Sequence, residues 1–596
     1  MPDNGKLTIG LSDAGIVTCC VRNNPAAWAQ ARLLLLERTT VSEHVGGECL
    51  QVRWWEFAPL LPKIQFIANL FPDLSIEVDD RSRDLIKRSV HAAELVERPE
   101  EAEPVTEREL LEVLKDVGWS ADRVLTTNQL KNVLKLVSLP NAATFSVPGA
   151  GKTTEALATF SFRTRLNRNL LVVSPKNAFA AWDEQVAACL PLLNVTRLVG
   201  GRANIERLLG ADPKISIITY SQLVNATDIV QKFLANHASV VFLDESHKIK
   251  GGEHRAWASA ALSISHLPEW KLLMSGTPMP NAQEDLIPQI RFLYPNLGAV
   301  QDPVTTIQRF FVRTTKAELG LPPVESKGIP IPLTDAQARI YRLCAKEVYR
   351  DAEKALRSKD KNVLRSFGRS YLILLQLVSN PSLLAAHQGR LDDENLIECL
   401  QSDSPKITYI CYRARQLAAE GHKILIWSGF VRNVELIAER LADLGADYIH
   451  GGVETGSEEE DNTRENKIAR FHNDPRAMVL VANPAACSEG ISLHTVCHHA
   501  LYLDRNYNAA QFLQSADRIH RLGLDADQTT FIEFAFSPGT IDESVNRRLA
   551  FKIGQMEQAL RDPSIGLPTH WLDDLEELPD AEDIKDLLET LRGNEL

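Results

Sequence analysis

The sequence has no apolar run approaching the ~20 residues that span a bilayer, which speaks against a membrane-spanning helix. Its opening, Met1-Pro2-Asp3-Asn4-Gly5-Lys6, lacks the charged-then-apolar pattern of a secretory signal. Nine cysteines are scattered over 596 residues, with no Cys-x-x-Cys and only Cys19-Cys20 close together. That scarcity argues against a zinc site or a disulfide framework, and for a reducing cytoplasm. A basic excess is missing too, the formal net charge being −13. Taken alone, this speaks against nucleic-acid binding. The acid is concentrated, however. Residues 573–596 carry ten Asp/Glu against two Lys/Arg, and residues 94–109 seven Glu against two Arg. These two segments account for the whole excess. The remainder is near neutral and free to hold a basic cleft.

What is present is a chain long enough for several domains, since one hydrophobic core stops growing at ~250–300 residues. Within residues 1–118, Ser12–Ile16 reads as a short strand region. Helical patterns cover Ala26–Arg38, the stretch from Trp54 to Leu70, and Arg81–Val96. The Trp54-Trp55 pair reads as core rather than as a base-stacking platform. Further on, apolar strand-type runs alternate with helical ones. They are Leu170–Ser174, Ile215–Thr219, Val241–Leu243, Lys271–Met274, Lys423–Trp427, Met478–Ala482, Ala500–Leu503 and Thr529–Phe536. That alternation is the signature of parallel, doubly wound sheets.

Two motifs carry chemistry. Pro148-Gly149-Ala150-Gly151-Lys152-Thr153-Thr154 is a phosphate-binding loop. Its glycines let backbone N–H groups approach phosphate oxygens. The helix that follows points its positive end at the same oxygens. Lys152 adds a cation for the β/γ phosphates, and the Thr153 hydroxyl is placed to ligate Mg²⁺. The generic pattern has Gly where this chain has Ser146. The second motif is Asp244-Glu245, which closes an apolar strand at the edge where open α/β sheets bind ligands. One carboxylate can hold Mg²⁺ and the other can orient and deprotonate water. Arg518 and Arg521 stand three apart in a helical pattern, hence on one face. A second lobe facing the first would bring both to the nucleotide.

The order and spacing of these segments resemble superfamily 2 helicases, and within them Swi/Snf-type DNA translocases, over residues 120 to 550. Gln129 looks like the adenine-reading glutamine. Val173-Ser174-Pro175 with Trp182 and Glu184, Ile218-Thr219-Tyr220, Asp244–Lys250 and Ser275–Asn281 are similar to successive motifs of the first lobe. Phe311–Lys316, Leu374–Leu383, Ile426–Phe430, Gln514–Gly523 and Gly539–Glu543 resemble the Swi/Snf-specific segments and the second lobe. Ala486–Leu493 departs from the family's glycine-rich motif, and Leu524 stands where Gln is usual. The resemblance implies an α/β fold of two tandem RecA-like lobes. The first is 119–281 and the second 406–556, with helical protrusions at 282–405, an N-terminal accessory α+β region at 1–118 and an acidic tail at 557–596. It implies ATP and Mg²⁺ as cofactors, with Glu245 activating water and Arg521 meeting the γ-phosphate. Thr277 and Gly490 become couplers to the bound strand. Duplex DNA is the implied partner, held by its phosphates. The N-terminal region and tail are candidate docks for a protein. A compact chain of this kind also looks bacterial or viral, from a genome-defence or restriction-like setting.

Overall fold

The computed structural model describes the chain except for residues 1–4, 13, 40–41, 45–47, 99–104, 253–254, 298–299, 358–360, 388–396, 398, 400–402, 455–459, 488–491, 526, 566–580 and 594–596. The chain divides into two compact units, Met1–Thr314 and Thr315–Leu596. Among the described residues, no helix is long and apolar enough to cross a membrane.

The first unit begins with a mixed five-stranded sheet. Its strands are β1 (Lys6–Leu11), β2 (Ile16–Arg22), β3 (Ser42–His44), β4 (Cys49–Arg53) and β5 (Ser75–Val78), in the order β3-β4-β2-β1-β5. The helices Pro25–Arg38 and Leu61–Leu70 close its core around Val17, Leu35, Leu50, Trp54 and Phe57. Trp54 and Trp55 are buried, as the core reading expects. Two other expectations fail. Ser12 lies in the turn between β1 and β2, where its N–H donates to Ile16, so the strands flank the stretch read as a strand. Cys20 and Cys49 are joined by a disulfide, against the expectation of none. The antiparallel register of β2 and β4 sets them opposite one another, a neighbourhood that a sequence separation of 29 conceals.

The second sheet of this unit comprises β6 (Ala142–Thr144), β7 (Asn169–Val173), β8 (Val195–Arg197), β9 (Ile215–Ile218), β10 (Ser239–Asp244), β11 (Trp270–Met274) and β12 (Phe311–Val312). All its pairings are parallel, in the order β12-β6-β11-β10-β7-β9-β8. Parallel strands covered on both faces need continuous apolar runs, and β7, β9 and β11 are buried at every position. Because β11 lies between β6 and β10, the loops after β6 and β10 are one strand apart at the carboxyl edge, the ligand-binding edge of such sheets.

The second unit holds β13 (Val324–Pro330), β14 (Ile424–Trp427), β15 (Asp447–Ile449), β16 (Val479–Ala482), β17 (His499–Tyr502) and β18 (Thr530–Phe536), again all parallel, in the order β13-β18-β17-β14-β16-β15. The stretch 282–405, read as helical, thus also supplies β12 to one sheet and β13 to the other. Two long helices, Asp335–Arg357 and Lys361–Ser379, fill most of the remainder. Part of the acidic tail is structured. Helix Ala581–Gly593 packs against Ile541–Leu560 and Asp335–Arg357. Ile584, Leu587 and Leu591 are buried, and Asp583 accepts from Arg548 and Lys552, each at 2.8 Å. The sequence marked this stretch only as an acidic tail. The leucine spacing explains the difference, because it gives this acidic helix one apolar face.

Candidate active site

The loop after β6 turns on two left-handed glycines, Gly149 (φ 87°) and Gly151 (φ 88°). Side chains rarely adopt that conformation. Gly151 caps the helix Lys152–Thr164, whose first-turn N–H groups face the loop. Lys152 Nζ lies over the loop and donates to the carbonyls of Ser146 (2.9 Å) and Val147 (3.4 Å). Burial depresses its ammonium, opposed by the nearby Glu245 and Asp244 carboxylates. Thr153 and Thr154 follow in the same turn, but the Thr154 hydroxyl is turned away to Gln185 (3.2 Å), which leaves only its backbone for phosphate. Pro148 and Ala150 frame the loop, and Pro148 Cδ would stand 3.1 Å from a Cβ on Gly276, so the segment after β11 packs directly on it. Gln129 forms a capping box with Thr126 at the start of helix Thr127–Ser138. Its amide nitrogen donates to the Ala150 carbonyl (3.3 Å), so this glutamine touches the phosphate loop itself.

Ser146 stands at the position where the generic loop has glycine, and it has a structural task. Its hydroxyl accepts from Thr314 N (2.9 Å) and from Asn132 Nδ2 (3.4 Å). Asn132 Nδ2 also reaches Thr314 Oγ1 (2.9 Å) and Glu155 Oε1 (2.8 Å), and Thr144 Oγ1 donates to Glu155 Oε2 (2.8 Å). Burial pushes the Glu155 carboxyl up to about 7, against these donors. This buried polar knot joins the floor of the phosphate loop to the last residue of the first unit.

Asp244 and Glu245 occupy different environments. Asp244 Oδ2 accepts from Trp182 Nε1 (2.9 Å) and Ser174 Oγ (3.0 Å), and Oδ1 from Glu245 N (3.0 Å). Tyr220 Oη donates to the Asp244 carbonyl (2.8 Å). Burial and the neighbouring Glu245 charge push the Asp244 carboxyl up to about 6. Glu245 leaves the strand in a left-handed conformation, φ 48°. Such a backbone costs a non-glycine residue ~1–2 kcal/mol. Burial works against its charge, but His247, Lys152 and Lys248 outweigh it and hold the carboxyl well below the ordinary range. His247 Nδ1 lies 3.3 Å from Glu245 Oε2 and 3.1 Å from Ser275 Oγ, which also accepts from Thr277 N (3.1 Å). One carboxylate is therefore anchored at the sheet edge, and the other is ionised and aimed by a turn.

Thr153 and Asp244 are the residues whose oxygens could hold Mg²⁺, with nucleotide phosphates and water completing its shell. Among the described residues no cluster of three or more His, Cys, Asp or Glu side chains suits a metal.

The first unit thus brings together Gln129, Gly149, Gly151, Lys152, Thr153, Asp244 and Glu245. Arg518 and Arg521 belong to the second unit, and there the helical expectation is corrected. The helix Ala509–Ala516 stops short, and Asp517–Ile519 form a turn. A buried ion pair from Asp517 to Lys316 (2.6 Å) and a contact from His520 Nε2 to the Pro322 carbonyl (2.8 Å) hold it. Arg518 is buried and its Nε donates to the Gln514 carbonyl (2.8 Å), whereas Arg521 is partly exposed beyond the turn. The two do not share a helical face. Gly490 lies outside the described residues. Sequence reading gave no role to Ser174, Trp182 or His247, which position the carboxylates. The place of Ser174 and His247 just after β7 and β10 was the available signal, whereas Trp182 comes from the following helix, Phe179–Cys189.

Residues 144–303 match the family of SNF2-related domains, and residues 405–523 match helicase conserved C-terminal domains. Among curated relatives, Protein CHROMATIN REMODELING 4 of Arabidopsis thaliana is 25% identical over 423 residues, covering 63% of this chain and 18% of its own length. The human SWI/SNF-related matrix-associated actin-dependent regulator of chromatin subfamily A member 1 is 24% identical over 449 residues, covering 68% and 40%. The chain therefore spans well under half the length of these relatives. Two solved structures are also similar. The Sulfolobus solfataricus SWI2/SNF2 ATPase core in complex with dsDNA has a TM-score of 0.33 at 21% identity, covering 75% of this chain and 95% of that one. The Pyrococcus furiosus Hef helicase domain has a TM-score of 0.45 at 15% identity, covering 70% and 96%. The chain thus carries one segment that matches SNF2-related domains and a second that matches helicase conserved C-terminal domains.

Proposed function

We propose that the chain is an ATP-driven translocase or remodeller acting on double-stranded DNA, with Glu245 as the residue that orients and deprotonates the attacking water. The observation that carries this reading is the division of labour at the end of β10. Asp244 is fastened by Trp182 and Ser174, while Glu245 is held ionised at the tip of a left-handed turn. Lys152 and the N–H groups of the Gly149–Thr153 loop receive the triphosphate. Thr153 and Asp244 would hold Mg²⁺, which would supply charge neutralisation at the phosphates. Gln129 sits beside the loop as the adenine-side contact. Arg521 is the arginine that the family resemblance assigns to the γ-phosphate. The back-bonded Arg518 shapes the turn that presents it. The Ser275–Thr277 segment reaches the phosphate loop on one side and His247 on the other, and so carries the nucleotide state outwards.

Duplex DNA as the partner draws on the SNF2-related domain and on the names of its chromatin-remodelling relatives. A translocase must tolerate any sequence, so its contacts go to phosphates. The test is ATP hydrolysis on duplex DNA, single-stranded DNA and RNA, paired with displacement of a triplex-forming strand. Lys152→Ala serves as the control. Stimulation by duplex with triplex displacement is expected, and it should weaken with salt as condensed counterions compete. Stimulation by single strands or RNA with duplex unwinding would refute the translocase reading in favour of a helicase. ATP binding without stimulation by any nucleic acid would point instead to a nucleotide-gated switch.

A further inference from the structure

At the opposite edge of the seven-stranded sheet, near the starts of β6 and β11, the N-terminal module leans on the lobe and encloses a cavity of about 330 Å³. Helix Asp80–Glu97 forms one wall, held there by Asn296 Nδ2 donating to the Ser89 carbonyl (2.7 Å). Three cations from three different elements line the cavity: Arg88, Arg163 and Lys271. Among the described residues none of the three forms an ion pair with a carboxylate. The one acid on the wall, Glu269, is engaged by Arg168 at 2.7 Å. In a chain of net charge −13, this is a local concentration of unbalanced positive charge.

Two of the cations are held in place with donors to spare. Lys271 is buried, and its Nζ donates to the Phe292 carbonyl (2.7 Å), which uses one of three N–H groups. Arg163 Nη1 donates to Val137 O (2.7 Å) and Leu139 O (2.8 Å), leaving Nε and Nη2 for a ligand. The bland account is that each merely caps the end of a neighbouring helix. It explains Arg163 and leaves two things unexplained. A buried lysine has no counter-charge, and Arg88 sits close enough to act against it. Burial and Arg88 together push the Lys271 ammonium down to about 7. A buried cation is stable only with a partner. A dianionic phosphate would satisfy all three side chains, with the guanidinium groups supplying paired N–H donors.

We propose that this cavity is a second ligand site, specific for a small phosphorylated molecule whose phosphate is seated among Arg88, Arg163 and Lys271. Its size suits a mononucleotide-sized ligand, at the small end of the ~300–1,000 Å³ usual for such pockets. It lies on the order of 13 Å from the ATP loop, the length of four strand residues, and is separated from it by the sheet. Nothing in the proposed translocase reading requires it.

The experiment is calorimetric titration of the full chain with inorganic phosphate, AMP and a short DNA duplex, in the wild type and in Lys152→Ala, which removes the other phosphate site. A one-to-one event with AMP or phosphate that survives in Lys152→Ala is expected. Adding Arg88→Ala should weaken it at least tenfold. Lys271→Gln should do the same, and the exposed Arg88 keeps the test decisive if that buried variant fails to fold. Binding that disappears with Lys152→Ala, or that ignores Arg88→Ala, overturns the proposal. So does an Arg88-dependent event seen with duplex DNA alone, which would make the cavity a backbone-phosphate contact.

Discussion

The sharpest consequence of the site's geometry concerns the two donors that hold Asp244. Trp182 Nε1 and Ser174 Oγ both reach Oδ2, at 2.9 and 3.0 Å. Both stabilise the ionised form, yet burial and Glu245 still push the carboxyl up to about 6. A hydrogen bond to a charged group is worth ~1.5–3 kcal/mol. One pH unit in an acid's midpoint equals about 1.4 kcal/mol. Ser174→Ala should therefore raise the midpoint of the acid limb of the ATPase profile by roughly one pH unit. Trp182→Phe should move it in the same direction, and the double variant further than either. The sign is fixed, because losing a donor disfavours the carboxylate and more base is needed to ionise Asp244. The assay is kcat and KM for ATP from pH 5 to 9, with thermal melts to separate folding from chemistry. An acid limb that stays in place in Ser174→Ala, or moves down, would refute the role of these donors.

Glu245→Gln should bind ATP with near wild-type affinity and fail to hydrolyse it, as read by nucleotide binding and phosphate release. Arg521→Ala should lower kcat on the order of 10³-fold or more, the range known for arginine fingers, with little change in KM. The raised Glu155 carboxyl favours the protonated fold. Its stabilising effect is full below the ordinary glutamate range and fades as pH rises through about 7. Glu155→Gln should accordingly flatten the fall in melting temperature between pH 5 and 8. Lys316→Met strands Asp517 in the interior, where breaking a buried pair costs ~3–5 kcal/mol. Urea unfolding of the second unit should register that loss.

The parts of this fold legible in the sequence were those written in local runs. The strands β7, β9, β10, β11, β14, β16, β17 and β18 are mainly apolar stretches, and each was located to within a residue or two, whereas the three-residue interior strand β6 was missed. The edge strands β8, β12, β13 and β15 were missed. They are short or half-exposed, and their pairing is decided by the strand beside them rather than by their own composition. In the site, Gly149, Lys152 and Asp244-Glu245 carry their chemistry in adjacent letters. Asn132, Glu155 and Thr314 do not, because their relation exists only after β6, the helix behind the loop and β12 have met. The same holds for Cys20 and Cys49, whereas the apolar face of the acidic helix Ala581–Gly593 is written in its own leucine spacing and was masked by the surrounding charge. Arg518 and Arg521 show the converse error. Their spacing is helical, but tertiary contacts at Asp517 and His520 end the helix first.

The strand β13 also dictates an order of events during synthesis. Val324 pairs with Thr530, so the second sheet joins segments roughly two hundred residues apart and pays the closure entropy of that loop. The first unit is complete in sequence at Thr314. At ~5–20 residues per second, the ribosome needs roughly ten to forty seconds to pass from β13 to β18. Throughout that interval β13 has emerged with its hydrogen-bonding edge open, waiting for β18. A nascent chain paused in that window is the form of this protein most exposed to misassembly and most dependent on a chaperone.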